Sequence, residues 1–294
     1  MPRRRFEDAR CLVTGASMGL GRALAEALVR RGARVVLAAR SADRLREVAD
    51  RLIEAGASPS AVLPFPADVT KAEDRADLLA FASEQFGGAL DLVINNAGIG
   101  AYGRFESHDE AVVRRLFEIN VFALIEICRG VLPLLREGRS PALCNIGSVV
   151  ARRGLPGRSE YSASKFAVAG FTEAIRAEWA RYGIDVLLMN PGFTATEFEK
   201  NLVIHTAVYK TNHRRTMTPE AVAEVTLRAL ERGKNEVTLS RPGRFLLFVN
   251  RVAPRFLDWG LDRWTTRLYA SEPDTPVADG KSGRQGHAPL DRPR

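Results

Sequence analysis

Arg10-Cys11-Leu12-Val13-Thr14-Gly15-Ala16-Ser17-Met18-Gly19-Leu20-Gly21 runs from a short apolar segment through a glycine turn into a stretch whose apolar residues recur at helical spacing as far as Val29. Glycines at such a strand-to-helix turn let the backbone approach a pyrophosphate closely. The first turn of the helix then directs unpaired N–H groups and the positive end of its dipole at the phosphates. The spacing is G-x-x-x-G-x-G rather than the commoner G-x-G-x-x-G, so the turn meets the dinucleotide-binding pattern in position and purpose, not letter for letter. Gly15, Ser17, Met18, Gly19, Leu20 and Gly21 are the first candidate cofactor contacts.

Working outward, the next apolar run is Arg34-Val35-Val36-Leu37-Ala38-Ala39. In a dinucleotide fold an acidic residue at the end of this strand hydrogen-bonds the ribose 2′-hydroxyl of NAD. Ala39 stands there instead, and Arg40 follows. A guanidinium suits a 2′-phosphate in forked geometry, and no carboxylate is left to repel it, so the expected cofactor is NADP(H). Further strands are expected near 61–66, 90–95, 141–147, 184–190 and 235–240, alternating with helices near 19–31, 42–56, 71–87, 107–136, 160–182 and 218–232. That alternation predicts an α/β fold: a single-domain, Rossmann-like, doubly wound parallel sheet of about seven strands with helices on both faces, its ligand beyond the carboxyl ends of the strands.

A second constellation lies in Glu160-Tyr161-Ser162-Ala163-Ser164-Lys165. Residues four apart project from one helix face about 5–6 Å from each other, so an ammonium at Lys165 can act on the phenol of Tyr161. A free tyrosine ionises near pH ~10, and a neighbouring cation favours the phenolate. Ser148 ends the apolar run from Ala142 and offers a hydroxyl at a strand's carboxyl end to hold a substrate oxygen.

The glycine turn, Asn95-Asn96-Ala97-Gly98, Ser148, the Tyr161/Lys165 pair and Pro191-Gly192 occur in that order. Together they make the chain resemble the short-chain dehydrogenase/reductase family over about residues 8 to 240. The resemblance implies that Tyr161 is the general acid/base, that Lys165 lowers its pKa and binds the nicotinamide ribose, and that Ser148 positions the carbonyl or hydroxyl. Asn120, in Phe117-Glu118-Ile119-Asn120-Val121, matches an asparagine that completes a proton relay through water. By the same resemblance Asp68, with Val69 beside it, contacts the adenine. Asn95, Ala97, Gly98, Pro191 and Gly192 shape the cofactor cleft, and Thr194 holds the carboxamide. Met189-Asn190 precedes Pro191 where a β-branched residue is expected.

The chain has 294 residues and a formal charge of +8. Cys11, Cys128 and Cys144 lie in apolar segments without C-x-x-C spacing and read as small buried residues of a reducing compartment. His108, His205, His213 and His287 lack metal-ligand spacing, so no metal site is expected. No signal peptide or stretch of ~20 apolar residues is visible, so a cytoplasmic location is expected. The arginines form no nucleic-acid-binding motif, and a nucleic-acid partner is not expected.

Four regions follow: a basic lead over 1–9, a catalytic domain over 10–240, a basic, aromatic extension over 241–269, and a tail over 270–294, poor in large apolar residues and expected to be disordered. The segment 194–218 either covers a partly hydrophobic substrate or packs as a helix on the body. The extension carries six arginines against two aspartates among Phe245, Phe248, Phe256, Trp259 and Trp264. It suits packing on the body, a cover for the substrate mouth, a subunit contact, or peripheral contact with a membrane, with Pro254 and Gly260 as helix breaks.

The expected function is an NADP(H)-dependent oxidoreductase interconverting a ketone or aldehyde and an alcohol on a lipophilic small molecule. The alternatives are a 3-oxoacyl thioester reductase and a non-catalytic NADPH-binding sensor or assembly protein. By resemblance the chain forms a homodimer or homotetramer through helices matching 107–136 and 160–182.

Overall fold

The structure, a computed structural model, describes residues 4–192, 202–205 and 217–269. Seven strands form one parallel sheet: β1 (Arg10–Thr14), β2 (Arg34–Ala39), β3 (Val62–Pro66), β4 (Leu92–Asn95), β6 (Ala142–Ile146), β7 (Asp185–Asn190) and β9 (Glu236–Thr238). Their spatial order is β3-β2-β1-β4-β6-β7-β9, and every pairing is parallel. The order reverses between β1 and β4, which opens the crevice at the carboxyl edge where ligands bind in such sheets.

Alternation along the strands builds two cores, because successive side chains leave a strand on opposite faces. Cys11, Val13, Val35 and Leu37 face one layer, with α1 (Gly19–Val29), α2 (Ala42–Glu54) and α7 (Pro219–Glu231) contributing Leu24, Leu28, Leu45 and Leu227. Leu12, Val36, Ala38 and Leu143 face the other, covered by α3 (Ala72–Phe86), α5 (Ala123–Arg136) and α6 (Ser159–Trp179) through Leu78, Ile127, Val131 and Val168. Burial on both faces explains why the strands read as continuous apolar runs.

Several boundaries differ from the sequence reading for local reasons. The helix expected over 107–136 is divided. It begins as α4 (Glu110–Phe117), where the Asp109 carboxylate accepts from the Val112 N–H at 2.8 Å, passes through a π-helical turn at Glu118–Phe122, and continues as α5. Two strands too short to read from pattern, β5 (Gly100–Tyr102) and β8 (Leu202–His205), pair in parallel outside the main sheet. The segment 241–269 folds as α8 (Arg241–Val252) and α9 (Pro254–Tyr269). The helix breaks at Pro254 as expected but runs on through Gly260, since glycine lowers helix stability by only about 1 kcal/mol. The basic lead is packed where it is described: Arg4 donates to the Leu230 carbonyl and pairs with Asp185 at 2.6 Å, and Phe6 is buried. The expected tail from Ala270 lies outside the described residues, as does most of the segment 194–218.

Candidate active site

The carboxyl edge of the sheet gathers nearly all the residues singled out above. At the glycine turn, Gly15 has φ +67°, and a side chain there would meet Asn96 Nδ2 at 2.9 Å and the Ala97 backbone at 3.0 Å. At Gly21, in the first turn of α1, an added Cβ would lie 2.1 Å from the Gly15 carbonyl oxygen. The two glycines therefore let the turn fold against the loop after β4. Asn96 Nδ2 donates to the Thr14 and Gly15 carbonyls, while the Thr14 hydroxyl accepts from the backbone N–H groups of Asn96 and Ala97. Asn96 was passed over in the sequence, where only its neighbour Asn95 was singled out.

Asn95 turns the other way. Its amide donates to Asn145 Oδ1 at 3.0 Å and to Cys128 Sγ at 3.2 Å, beneath the sheet edge. All three cysteines are buried and free. Among the described residues no group of His, Cys, Asp or Glu has the arrangement of a metal site.

Beyond β2 and β3, Arg40 is exposed and Asp68 lies across from it. Burial works against the Asp68 carboxylate. The N–H and hydroxyl of Thr70, at 3.0 and 2.8 Å, together with the charges of Arg40 and Lys71, outweigh it and hold the group below its ordinary range. Val69 is buried, and its carbonyl accepts from Arg75. A second guanidinium reaches this corner: Arg44 Nη1 lies 3.6 Å from Met18 Sδ of the glycine turn. Arg44 lies in the first turn of α2, which begins at Ala42. A glycine turn, a helix amino terminus behind it, and guanidiniums beside the turn and beyond β2 make a cradle that fits a dinucleotide.

On the other side of the crevice stand the candidate catalytic groups. Ser148 follows β6, and its N–H donates to Asn190 Oδ1 at 3.1 Å. Asn190, unexpected in the sequence, is thus the residue that orients Ser148, and its own amide is held by Glu236 at 2.8 Å. Tyr161, in the first turn of α6, hydrogen-bonds the Ser148 side chain and meets Tyr102 edge-on at 6.3 Å between ring centroids. Asn120, in the π-helical turn, is buried; its Oδ1 accepts from the Ile99 N–H at 2.9 Å, and its Nδ2 donates to the Ile99 carbonyl and to Ser164 Oγ. Ala97 and Gly98 lie between, Gly98 with Asn120 Oδ1 3.1 Å from where its Cβ would be. Pro191 is buried, and its carbonyl accepts from the Val149 N–H. Gly192 lies where a side chain would strike Ser240. Thr194 lies outside the described residues.

The electrostatics depart from the sequence reading at one point. Lys165 was expected to depress Tyr161. Instead burial pushes the Tyr161 phenol above its ordinary value, Tyr102 adding to the effect, against smaller opposing pulls from Arg158 and the Ser148 hydroxyl. Lys165 Nζ sits 5.9 Å from the Tyr161 ring centroid and donates to the Ile146 carbonyl at 2.9 Å. Burial also pushes Lys165 down to about 8, from 10.5. Between those two pH values the unfolded chain binds the proton and the folded chain does not. Folding stability therefore rises with pH across that window, by up to about 3 kcal/mol from this one group. Above about pH 9 the buried thiols of Cys11, Cys128 and Cys144 and the Tyr161 phenol, all pushed up by burial, act in the opposite direction, so denaturant titrations from pH 7 to 9 are expected to show the lower part of this rise, and Lys165→Met should remove it; an unchanged pH dependence in the variant would contradict the lowered pKa of Lys165.

His108, which the sequence marked only as lacking metal-ligand spacing, is held inside the fold. Its side chain is fully buried with Nδ1 3.0 Å from Glu160 Oε2, because the loop before α4 folds onto the start of α6.

The model of the short chain dehydrogenase family matches residues 9–206. The chain belongs to that family. This short-chain dehydrogenase is 33% identical over 236 residues to an uncharacterized oxidoreductase of Staphylococcus aureus, the match covering 79% of this chain and 96% of the relative. Among solved structures, a short chain dehydrogenase from Burkholderia cenocepacia in complex with NADP superposes with a TM-score of 0.74 at 30% identity, over 88% of this chain and 99% of the other. The 3-ketoacyl-(acyl-carrier-protein) reductase of Brucella melitensis, complexed with NADH, gives 0.69 at 25% identity, over 79% and 98% of the two chains. The protein is thus an oxidoreductase of this family with a nicotinamide-binding fold.

Proposed function

We propose that this short-chain dehydrogenase is an NADP(H)-dependent enzyme that interconverts a lipophilic ketone or aldehyde and the corresponding alcohol. The observation that carries the reading is the hydrogen bond between the Ser148 and Tyr161 side chains at the carboxyl edge, with Lys165 behind the Tyr161 ring. When bound, the nicotinamide supplies the hydride to the carbonyl carbon or accepts it in reverse. The glycine turn would hold the pyrophosphate, Arg40 the 2′-phosphate, Asp68 and Val69 the adenine, and Lys165 the ribose near the reacting ring, with Pro191, Gly192 and Thr194 on the nicotinamide side.

The chain's own chemistry is proton transfer. The Ser148 hydroxyl and the Tyr161 phenol both donate to the substrate oxygen as negative charge develops there, and Tyr161 gives up its proton. Because burial keeps Tyr161 protonated through neutral pH, it is ready as an acid without prior ionisation. Asn120 keeps the backbone of Ile99 and the hydroxyl of Ser164 in place at the inner end of the proton path.

An apolar wall of Ile99, Ala101, Tyr102, Val112, Leu116 and Val150 surrounds Tyr161, which supports a lipophilic substrate. The test is consumption of NADPH with a panel of lipophilic ketones and aldehydes, each product identified. Conversion to the alcohol is the expected result. Consumption confined to 3-oxoacyl thioesters would favour the second reading, which the likeness to the Brucella reductase supports. The exposed Phe122 and Phe166, beside α5 and on α6, support a homodimer or homotetramer through these helices. Light scattering of the purified chain checks it, and a monomer would rule it out.

A further inference from the structure

The helix pair α8 and α9 has a charged and aromatic outer face that neither the fold nor the proposed chemistry uses. On α8, Phe245, Phe248 and Val252 follow one another at helical spacing and are 68%, 61% and 60% exposed. Arg244 and Arg251 flank that row, and both are exposed. On α9, Phe256 and Trp259 are 64% and 51% exposed and stack with ring centroids 5.7 Å apart, and the guanidinium of Arg263 lies 4.5 Å over the Trp259 ring. Arg255 and Arg267 are exposed as well.

One of the two acidic groups of the segment is tied to the body. Arg153 donates to Asn250 Oδ1 at 2.9 Å on α8 and pairs with Asp258 at 2.5 Å on α9. Asp262 lines the same crevice, of about 320 Å³, between α9 and the loop at Leu155 and Pro156. Gly243 at the start of α8 is buried against Val149, the residue after Ser148. The helix pair is therefore fixed to the body through Asn250, Asp258 and the buried Gly243, and its six arginines, all exposed, outnumber its two exposed aspartates among large aromatic side chains.

We propose that this face docks the protein on an anionic lipid surface, the aromatic rings entering the headgroup boundary and the arginines meeting phosphates and carboxylates. Rings flanked by arginines are the composition of helices that lie in a membrane interface rather than cross it. Among the described residues no helix is long and apolar enough to cross a membrane. A two-fold contact with a second copy would set this arginine-rich face against itself, and like charges directly opposed disfavour such pairing.

The test is flotation of the full-length chain with phosphatidylcholine vesicles made with and without phosphatidylserine, at low and high salt. The chain is expected to float with the anionic vesicles and to be released by salt. Arg244→Gln, Arg251→Gln, Arg263→Gln and Arg267→Gln should each weaken partitioning by on the order of fivefold. The triple variant Phe245→Ser, Phe248→Ser, Trp259→Ser should abolish flotation with an unchanged thermal unfolding curve, since these side chains are exposed. Three results would overturn the proposal: no flotation with either vesicle, equal flotation with neutral vesicles, or a concentration-dependent dimer that the triple variant dissociates without any lipid binding.

Discussion

Tyr161→Phe is expected to lower turnover of any carbonyl substrate by about 10²- to 10⁴-fold, the range for losing a positioned general acid, while leaving NADPH affinity within about twofold. The phenylalanine keeps the edge-on contact with Tyr102 and the apolar wall around it, so the fold has little reason to change. What disappears is the proton and its hydrogen bond to the Ser148 side chain. The pH dependence in the parent protein has a definite sign. Reduction needs the protonated phenol, which burial keeps protonated through neutrality, so its rate should stay level there. Oxidation of an alcohol needs the phenolate, and its rate should climb as pH rises. A variant that retains more than about a tenth of the parent's turnover would remove Tyr161 from the chemistry.

The second large effect is on cofactor choice. Arg40→Asp exchanges a guanidinium for a carboxylate at the corner that Asp68 already makes acidic. Losing a hydrogen bond to a charged phosphate costs about 1.5–3 kcal/mol, and repulsion by the new carboxylate adds to that. Fluorescence titration should then show NADPH binding weakened by about 10- to 150-fold. NADH, with a 2′-hydroxyl that a carboxylate can accept from, should bind as well as before or better. Arg44 is the internal control: with its guanidinium next to Met18 rather than at the end of β2, Arg44→Gln should weaken NADPH less. Equal loss of both cofactors would mean that Arg40 supports the corner rather than reading the 2′-phosphate.

Much of this molecule was readable in the chain because its strands are buried on both faces. Runs such as Val35-Val36-Leu37-Ala38 can be nothing but interior, and the helices between them announce themselves by period. The reactive groups were readable for a different reason, since Tyr161 and Lys165 owe their proximity to four residues of helix. What escaped depended on contacts far apart in sequence. Asn190 meets Ser148 only when β7 lies beside β6, and Asn96 ties two loops more than eighty residues apart. The burial of His108 escaped because nothing local tells that its loop folds onto Glu160. The relation of Lys165 to Tyr161 was misjudged for a similar reason: spacing gives proximity, while burial and the Ile146 carbonyl decide what the ammonium does. The seating of α8 and α9 likewise depends on a residue distant in sequence, Arg153, which meets Asn250 and Asp258.

The most direct test is a single-turnover reaction of the purified protein with NADPH deuterated at the transferable position and a pooled set of lipophilic ketones and aldehydes, products read by mass spectrometry. A catalytic Ser148–Tyr161 pair predicts deuterium on the carbinol carbon of at least one product, and none when Tyr161→Phe replaces the parent. Tight NADPH binding with no deuterium transferred to any carbonyl or 3-oxoacyl thioester would contradict it and identify a nucleotide-binding protein that senses the cofactor without turning it over.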